Sequence, residues 1–194
     1  MSAQLFLIAL MRDQRTCSTC APHCIHKIMF LEVSTENQIE IVESLAREIW
    51  TEHYIPMIGK EQVDYMLDRF QSKQAISEQI RIGVLYFLMK EDNEFIGYIA
   101  VQPKGVELFL SKIYVKSSRR AKGYGKKAVQ FAETFAQERG LRKIVLTVNK
   151  SNVNSIKAYE KIGFRNIGSL VQDIGNNFVK DDYQMEKAVR QPDK

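Results

Sequence analysis

Basic residues and two glycines are combined in one short segment, residues 119–126 (RRAKGYGK). Gly123 and Gly125 allow a tight turn in which backbone N–H groups approach a ligand closely. A helix that begins there adds unpaired N–H groups and the positive end of its dipole. These features suit a pyrophosphate group, and the Arg and Lys side chains add phosphate contacts. The P-loop motif GxxxxGK(S/T) and the dinucleotide-binding motif GxGxxG are both absent.

A second segment that is able to do chemistry lies farther along the chain, at residues 149–164 (NKSNVNSIKAYEKIGF). The side-chain amides of Asn152 and Asn154 can hydrogen-bond the amide groups of an extended ligand. Tyr159 falls near the middle of a predicted helix and is able to deliver a phenol proton. The alternative interpretation of Tyr159 is a half-buried tyrosine that only packs.

Potential metal ligands lie close together near the N-terminus: Cys17, Cys20, His23, Cys24 and His26. Their chemistry and the Cys-x-x-Cys spacing fit a tetrahedral zinc site, but the set is crowded and a second, distant ligand pair is missing. Residues 1–28 also lack hydrophobic periodicity, so we expect an unstructured or poorly ordered extension and no metal site. The alternatives are a structural zinc site, with a zinc-linked nucleic-acid binder as its functional consequence, and a redox pair, although the cytosol keeps such thiols reduced.

The composition is that of an ordinary globular domain: 194 residues, 45% hydrophobic and 26% charged. It excludes a disordered chain, a collagen-like fibre and a coiled-coil rod. The 28 basic and 23 acidic residues leave a net charge of +5, too small by itself to indicate nucleic-acid binding. No apolar run approaches the roughly 18 residues of a membrane span, and no charged region precedes the apolar residues 5–11. We therefore expect a cytoplasmic protein with neither a membrane nor a nucleic-acid partner.

Helical spacing of apolar residues predicts the helices that position the two segments. The predicted helices lie at residues 38–52, around residues 63–70, at residues 72–81, from Lys126 to Gly140, and from Asn152 to Gly163. Ser34 or Thr35, followed by Gln38, predicts a capping box at the start of the first helix. Residues 53–60 contain Pro56 and Gly59 and are predicted to form a loop.

Runs of apolar, β-branched and aromatic residues predict the strands. They lie at residues 30–33, 84–90, 95–101, 106–115, 143–148, 164–171 and 178–187. Short turns between successive strands indicate an antiparallel meander. We expect one α+β domain at residues 29–190, with a mixed, mostly antiparallel central sheet of about seven strands flanked by helices, and a short tail at residues 191–194.

The two segments and the strand before them form a specific pattern. It consists of Ile113-Tyr114-Val115, Arg120-x-x-Gly123-x-Gly125, and Asn152 followed by Tyr159-Glu160-Lys161-x-Gly163-Phe164. In this pattern the chain resembles the GNAT superfamily of N-acetyltransferases over residues 30–188. Residues 50–67 and 175–187 are also similar to small-molecule acetyltransferases, including the polyamine acetyltransferases. The resemblance implies a GNAT-like acyltransferase that uses acetyl-CoA as co-substrate and requires no metal.

The resemblance also implies which residues bind acetyl-CoA. The molecule would enter a gap where the strand ending at Val115 splays from the strand at residues 143–148, with Ile113, Tyr114 and Val115 along its pantetheine arm. Backbone N–H groups would hold the pyrophosphate, from Arg120, Ala121, Lys122, Gly123, Tyr124, Gly125 and Lys126. Asn152 and Asn154 would contact the ligand near the pantetheine, and Tyr159 would protonate the departing thiolate.

The general base is not defined by the sequence. Many members of the family carry a glutamate on the third strand, but the inner positions of residues 107–112 (ELFLSK) offer no carboxylate nearer than Glu107. Glu107 acting through water, Glu52 and His53 are the candidates. Loss of the ammonium proton through a water chain, without a protein base, is the remaining alternative.

The acceptor pocket is expected between the first two helices and the last hairpin. Acidic residues near the C-terminal strands suit a small cationic amine such as a polyamine: Asp173, Asp181, Asp182 and Glu186. A protein lysine or N-terminal amine is the alternative acceptor, and a non-catalytic CoA-binding regulatory module is the alternative from another class. Because family members often pair through their C-terminal strands, a homodimer is also considered.

Overall fold

A computed structural model describes residues 28–191 of the chain, which form a seven-stranded sheet with helices on both faces. In chain order the elements are β1 (Ile28–Glu32), α1 (Glu36–Ile58), α2 (Lys60–Gln71), α3 (Lys73–Arg81), β2 (Leu85–Glu91), β3 (Glu94–Lys104), β4 (Glu107–Val115), α4 (Tyr124–Glu138), β5 (Lys143–Asn149), α5 (Val153–Ile162), β6 (Arg165–Gly175) and β7 (Phe178–Ala188). The short cluster of cysteines and histidines, Cys17 to His26, lies outside the described residues.

The strands are ordered β1-β2-β3-β4-β5-β7-β6 across the sheet. All neighbouring pairs are antiparallel except β4 and β5, which run parallel. This parallel pair is joined through α4, as the crossover rule for parallel strands requires. The expected α+β fold, with a mixed and mostly antiparallel sheet of seven strands, is confirmed.

Helix α1 begins with the predicted capping box and continues farther than predicted. The Thr35 hydroxyl accepts from the Gln38 backbone N–H, and the Gln38 side chain accepts from the Thr35 N–H. The predicted loop at residues 53–60 is wrong, because the helix continues through Pro56 to Ile58 and ends at Gly59. Pro56 costs one helical hydrogen bond, but the apolar stripe of α1 packs on the sheet and offsets this loss.

A β-bulge in the middle of β4 changes which face its side chains occupy. Val101 of β3 pairs with Leu110, but the next residue, Ala100, pairs with Lys112, so Ser111 is the extra residue. Leu110 therefore packs in the core under α4, whereas Lys112 and Tyr114 face the helices α1 to α3. The pairing of β4 with β5 ends at Phe109 and Val145, beside the bulge.

The two faces of the sheet carry two separate hydrophobic cores. One core lies beneath α4 and α5 and includes Ile99, Leu108 and Ile144, all fully buried. The other lies beneath α1, α2 and α3 and includes Ile49 and Tyr98. No helix of residues 28–191 is long and apolar enough to cross a membrane.

Candidate active site

A large cleft lies beside the C-terminal half of β4, beyond Phe109 and Val145, where the pairing of β4 with β5 ends. Its volume is about 820 Å³, and its walls include Ile113, Tyr114 and Val115 from the C-terminal half of β4. Gly97 of β3 lies against this half, since a Cβ atom there would stand 2.2 Å from the Tyr114 carbonyl oxygen. The resemblance implied a gap between β4 and β5. The pairing of the two strands does end at Phe109 and Val145, but the large cleft is lined by β4, α1, α5 and the loop before α4, and by no residue of β5.

The glycine-bearing loop forms one end of the large cleft, which is also lined by Ala121, Gly123, Tyr124, Gly125 and Lys126. Two residues of the loop have left-handed backbone conformations, Ala121 with φ 61° and Gly123 with φ 83°. Turns of this kind point successive N–H groups into one concave surface that suits an anion. The first intrahelical donor of α4 is Lys127, which bonds Gly123, so the N–H groups of Gly125 and Lys126 precede it.

The backbone N–H of Arg120 does not have the expected role of a pyrophosphate donor. Its backbone N–H donates to the Ser117 carbonyl oxygen at 3.1 Å, which closes a short 3-10 turn, so this N–H is not directed at a ligand. Its guanidinium instead donates through Nε to the Val115 carbonyl oxygen at 3.1 Å and through Nη1 to His53 Nδ1 at 3.2 Å. Arg120 therefore connects β4, α1 and the loop. Lys122 was also expected to contact the pyrophosphate through its backbone N–H; it lies on the same loop and is exposed.

The basic character of the loop is partly balanced by buried acid. Arg119 forms ion pairs with Glu91, at 3.1 Å, and with Glu94. The Glu91 carboxylate is 3% exposed and also accepts a hydrogen bond from the Tyr124 hydroxyl, so the hydroxyl at the start of α4 is held to the end of β2. These contacts fix the loop position, whereas its cationic groups toward a ligand come from the lysines.

His53 is the one base candidate that the described structure brings into the large cleft. Because arginine only donates, the contact from Arg120 makes His53 Nδ1 an acceptor and places the ring proton on Nε2. Burial, and then the Arg120 charge, lower the pKa of His53, while Glu52 opposes this change. Glu52 itself is exposed, and Glu107 pairs with Lys143 at 3.4 Å where β4 and β5 are still joined. Glu107 is therefore wrong as a candidate base, because it lies at the closed end of the strand pair.

Helix α5 brings Asn152, Asn154 and Tyr159 to the large cleft. Asn152 caps the helix as predicted, with its side-chain oxygen accepting from the Ser155 N–H, and its Nδ2 lies 3.5 Å from His53 Nε2. Tyr159 stands two helical turns farther, half-buried, with its ring against Phe164. Burial raises the pKa of Tyr159, so the phenol keeps its proton in neutral solution.

A small pocket of about 110 Å³ adjoins the large cleft and shares Tyr54, Ile113, Tyr114, Asn152 and Tyr159 with it. Its far wall is made by α1, α2 and β7, which contribute Trp50, Ile58, Gln62, Met66, Lys180 and Asp182. Because α1 continues past residue 52, Trp50, Tyr54 and Ile58 line up one turn apart on the wall. The expected acceptor pocket between the first two helices and the last hairpin corresponds to this small pocket.

Only one of the four acids expected at the acceptor site lines the small pocket. Asp182 is 2% exposed, and its Oδ2 pairs with Lys180 at 2.9 Å, but its buried Oδ1 has no hydrogen-bond partner among residues 28–191. Asp181 pairs with Lys150 at 2.6 Å, and Glu186 pairs with Lys143 and Arg165. Asp173 accepts from the Gly175 N–H in the β6–β7 turn.

Lys112 is a pocket residue that the sequence analysis did not select. It is 8% exposed, and its Nζ donates to Gln79 Oε1 at 2.6 Å and stands 5.0 Å from the centre of the Tyr86 ring. Burial, reinforced by the Lys180 charge, lowers its pKa to about 7. The sequence signal was a lone lysine in the run 108–115, but strand alternation alone assigns it to the wrong face, because the bulge at Ser111 is not visible in the pattern.

The fold is accompanied by a match to a known family of acyltransferases. Residues 43–164 match the profile described as the Acetyltransferase (GNAT) family. Because this match spans more than half of the chain, the protein belongs to the GNAT acetyltransferase family and is an acyltransferase. Acetyl-CoA is the co-substrate. The expected family, reaction class and co-substrate are confirmed, and the interpretation as a non-catalytic module is not supported.

Relatives and solved structures agree with this assignment. An uncharacterised N-acetyltransferase in the pepI 3′ region of Lactobacillus delbrueckii subsp. lactis is 22% identical over 173 residues, covering 84% of this chain and 98% of that protein. The PaiA N-acetyltransferase of Thermoplasma acidophilum, in complex with coenzyme A, superimposes with a TM-score of 0.68 at 23% identity, covering 84% and 99% of the two chains. A chimera of the spermidine N-acetyltransferase SpeG from Vibrio cholerae and hSSAT gives a TM-score of 0.61 at 17% identity, covering 83% and 95%. At these identities the structural likeness defines the fold and not the acceptor.

Proposed function

We propose that the protein transfers the acetyl group of acetyl-CoA to the primary amine of a small molecule by direct attack, with no acyl-enzyme intermediate. The observation that carries this proposal is the junction at Tyr159, where the large cleft beside β4 meets the small pocket. In this arrangement the large cleft holds acetyl-CoA and the small pocket holds the acceptor amine. A pocket of about 110 Å³ favours a small molecule over a protein lysine or N-terminus, which needs an open groove.

In the proposed binding mode, each residue expected from the sequence has one role. The backbone of Ile113, Tyr114 and Val115 lies along the pantetheine arm, and Asn152 and Asn154 lie beside it. The pyrophosphate is held by N–H groups of residues 121–126, next to the left-handed residues Ala121 and Gly123 and the start of α4. Arg120 positions the loop through Val115 and His53.

The proposed reaction needs three proton transfers. The acceptor ammonium binds Asp182 Oδ1 and gives one proton to this carboxylate, which later releases it to solvent. The free amine then attacks the thioester carbon, so that a C–N bond forms, the C–S bond breaks and the nitrogen loses its second proton to solvent water. Tyr159 gives its phenol proton to the departing thiolate and is protonated again from solvent. The free carboxylate oxygen supports this role of Asp182, since a buried carboxylate oxygen without a donor is costly unless a ligand supplies one.

The acceptor expected from the sequence is a small cationic amine such as a polyamine. Asp182 supports the binding of one ammonium group, because its Oδ1 is unpartnered and it lines the small pocket. Asp181 and Glu186 are engaged by basic residues and do not line this pocket, so they give no support for a second ammonium. A polyamine is therefore one candidate in the test that follows, rather than the only one.

Calorimetry and a thiol-release assay test the proposed function. We expect purified protein to bind coenzyme A, and at least one small primary amine to accelerate thiol release from acetyl-CoA. Absence of detectable binding at millimolar coenzyme A, from a protein shown to be folded, would remove the cleft assignment. If peptides with a lysine or a free N-terminus stimulate thiol release and no small amine does, the protein is instead a protein acetyltransferase.

A homodimer through the C-terminal strands is proposed as the assembly. Strand β6 is at the edge of the sheet, and residues 165–173 are exposed along its whole length on both faces. It carries the apolar side chains Ile167, Leu170 and Val171, of which Val171 is 66% exposed. An exposed apolar edge strand is normally covered in a native protein, and a second copy supplies the same edge. The cytoplasmic location expected from the sequence stays a prediction.

A further inference from the structure

The small pocket contains more positive than negative charge. Among the described residues that line it, the charged side chains are Lys112, Lys180 and Asp182. Lys180 is already neutralised by Asp182 at 2.9 Å and also donates to the Thr147 hydroxyl at 3.2 Å. Lys112 is thus the charge of this pocket that no carboxylate of residues 28–191 balances.

Lys112 is nearly as buried as a core residue, with 8% of its surface exposed. An ammonium group has three N–H donors, and here one of them goes to Gln79 Oε1. The same oxygen also accepts from the Tyr86 hydroxyl at 2.8 Å, so the amide is shared. The face of the Tyr86 ring supplies the only other contact that the described structure gives this ammonium, at 5.0 Å from the ring centre.

Because these contacts compensate its charge only in part, the buried ammonium of Lys112 would be stabilised by a bound anion. Buried charges in proteins are paired, and an unpaired one is expensive in free energy. A neutral amide and an aromatic ring compensate only part of that cost, whereas a carboxylate forms a charge-assisted hydrogen bond with it. Lys112 lines the small pocket from a strand in the centre of the sheet, and the bulge at Ser111 fixes it on this face. Its ammonium contacts Gln79 and Tyr86, which do not line the pocket, so binding a ligand carboxylate requires the flexible side chain to turn into the pocket.

We propose that the acceptor is an amine that also carries a carboxylate, and that Lys112 binds this carboxylate while Asp182 binds the amine. The inference rests on the proposed function and names the substrate class of the same site. It assigns amino acids and ω-amino acids as acceptors rather than polyamines. A second ammonium in the pocket would meet the unbalanced charge of Lys112, and like charges at short distance in a poorly solvated site repel strongly.

Matched acceptors of equal length test the substrate class in the unmodified protein at pH 6.5, which is below the pKa of about 7 that burial gives Lys112, so that its ammonium is charged. Each series contains an ω-amino carboxylate, the corresponding α,ω-diamine and the corresponding alkylamine, with two to six carbons, for example 4-aminobutyrate, 1,4-diaminobutane and butylamine. We expect the best amino carboxylate to exceed its diamine and its alkylamine by about tenfold or more in kcat/KM. A diamine that equals or exceeds the amino carboxylate at every length overturns the proposal.

The variant Lys112→Met tests whether this lysine is the source of the preference. The readout is the ratio of kcat/KM for the amino carboxylate to that for the alkylamine, which we expect to fall to about one. Lys104→Met is the matched control, because Lys104 is exposed on the neighbouring strand β3 and does not line the small pocket. The control should keep the ratio of the unmodified protein. A ratio that survives in Lys112→Met contradicts the proposal.

Binding measurements separate this inference from the proposed function and do not depend on the variant. Calorimetric titration of the protein–coenzyme A complex with 4-aminobutyrate and with 1,4-diaminobutane should give the tighter association for the amino carboxylate. Turnover of alkylamines and diamines without such a preference disproves the inference and leaves the acetyltransferase function in place. No turnover with any acceptor, together with no binding of coenzyme A, removes the proposed function itself.

Discussion

Tyr159 lies at the junction of the large cleft and the small pocket, and its surroundings determine how it can act. Burial raises the pKa of its phenol above the ordinary value, so the group is a proton donor and not a base at neutral pH. A thiol leaves readily, because its own pKa is already low. The contribution of the acid to the rate is therefore modest.

Tyr159→Phe removes the phenol proton and keeps the ring that packs against Phe164. We expect kcat to fall by roughly 10- to 100-fold, at or below the low end of general acid effects, while the affinity for coenzyme A is retained. Thiol release at saturating substrates and calorimetry with coenzyme A measure the two quantities. A rate within twofold of the unmodified protein, with chemistry as the slow step, would exclude Tyr159 from the mechanism.

Lys112 also predicts a pH dependence of stability. The folded protein releases this proton near pH 7, whereas the unfolded chain keeps it up to its ordinary value of 10.5. Between these pH values the unfolded state binds more protons, so this residue makes the free energy of unfolding rise with pH. The slope is up to about 1.4 kcal/mol per pH unit.

Urea denaturation of the unmodified protein and of Lys112→Met, from pH 7.5 to 9.5, isolates this contribution. The difference in free energy of unfolding, unmodified protein minus variant, should increase with pH over that interval. Lys104→Met again supplies the control, since an exposed lysine adds no such slope. Parallel curves for all three proteins would show that Lys112 titrates normally.

At the scale of elements, two glycines lie at the start of α4, and the physical reason for having glycine there differs between the two positions. Gly123 has φ 83°, so the backbone itself requires glycine. Gly125 lies in the first turn of α4, and a Cβ atom built there meets nothing within 4 Å. The protein by itself therefore gives no reason for glycine at position 125, and close approach of a ligand is the remaining reason.

Gly125→Ala should separate binding from folding. The free energy of unfolding should stay the same or rise by up to about 1 kcal/mol, because alanine is the better helix residue. The affinity for coenzyme A should drop by about tenfold or more, since the methyl group occupies space that a phosphate needs. Calorimetry and urea denaturation report the two effects.

Gly97→Ala is the matched contrast for this prediction. Its Cβ atom would stand 2.2 Å from the Tyr114 carbonyl oxygen, so β3 and β4 must move apart and stability must fall. If Gly125→Ala instead loses stability and keeps its affinity for coenzyme A, the loop does not bind the pyrophosphate in the proposed way.

At the scale of the whole molecule, the exposed strand β6 predicts a dimer. Light scattering should give twice the mass of one chain, and Val171→Asp should reduce it toward the mass of one chain, because a charge would be buried at the shared edge. Ile82→Asp is the matched control, since Ile82 is 56% exposed between α3 and β2, and β2 is five strands from β6 in the sheet. A monomer before any substitution contradicts the proposed assembly.

The sequence by itself determined the elements that depend on local physics. The capping box at Thr35, the helix stop at Gly163 and the order of strands and helices follow from short-range patterns, and the fold class follows from that order. The tight turn at Gly123 and the position of Tyr159 on α5 were predicted for the same reason. The pairing of two spaced motifs was enough to predict the family.

Tertiary structure alone decided what depends on partners distant in the chain. Helix α1 continues through Pro56 because packing outweighs the local preference for a loop, and Glu107 lies away from the site because β4 is paired there. The bulge at Ser111 moves Lys112 to the face of the sheet that α1, α2 and α3 cover. A strict alternation of residues along a strand cannot predict this change. The hydrogen-bond partner of Lys112 is Gln79 of α3, 33 residues away in the chain, so this contact exists only once α3 has packed on the sheet.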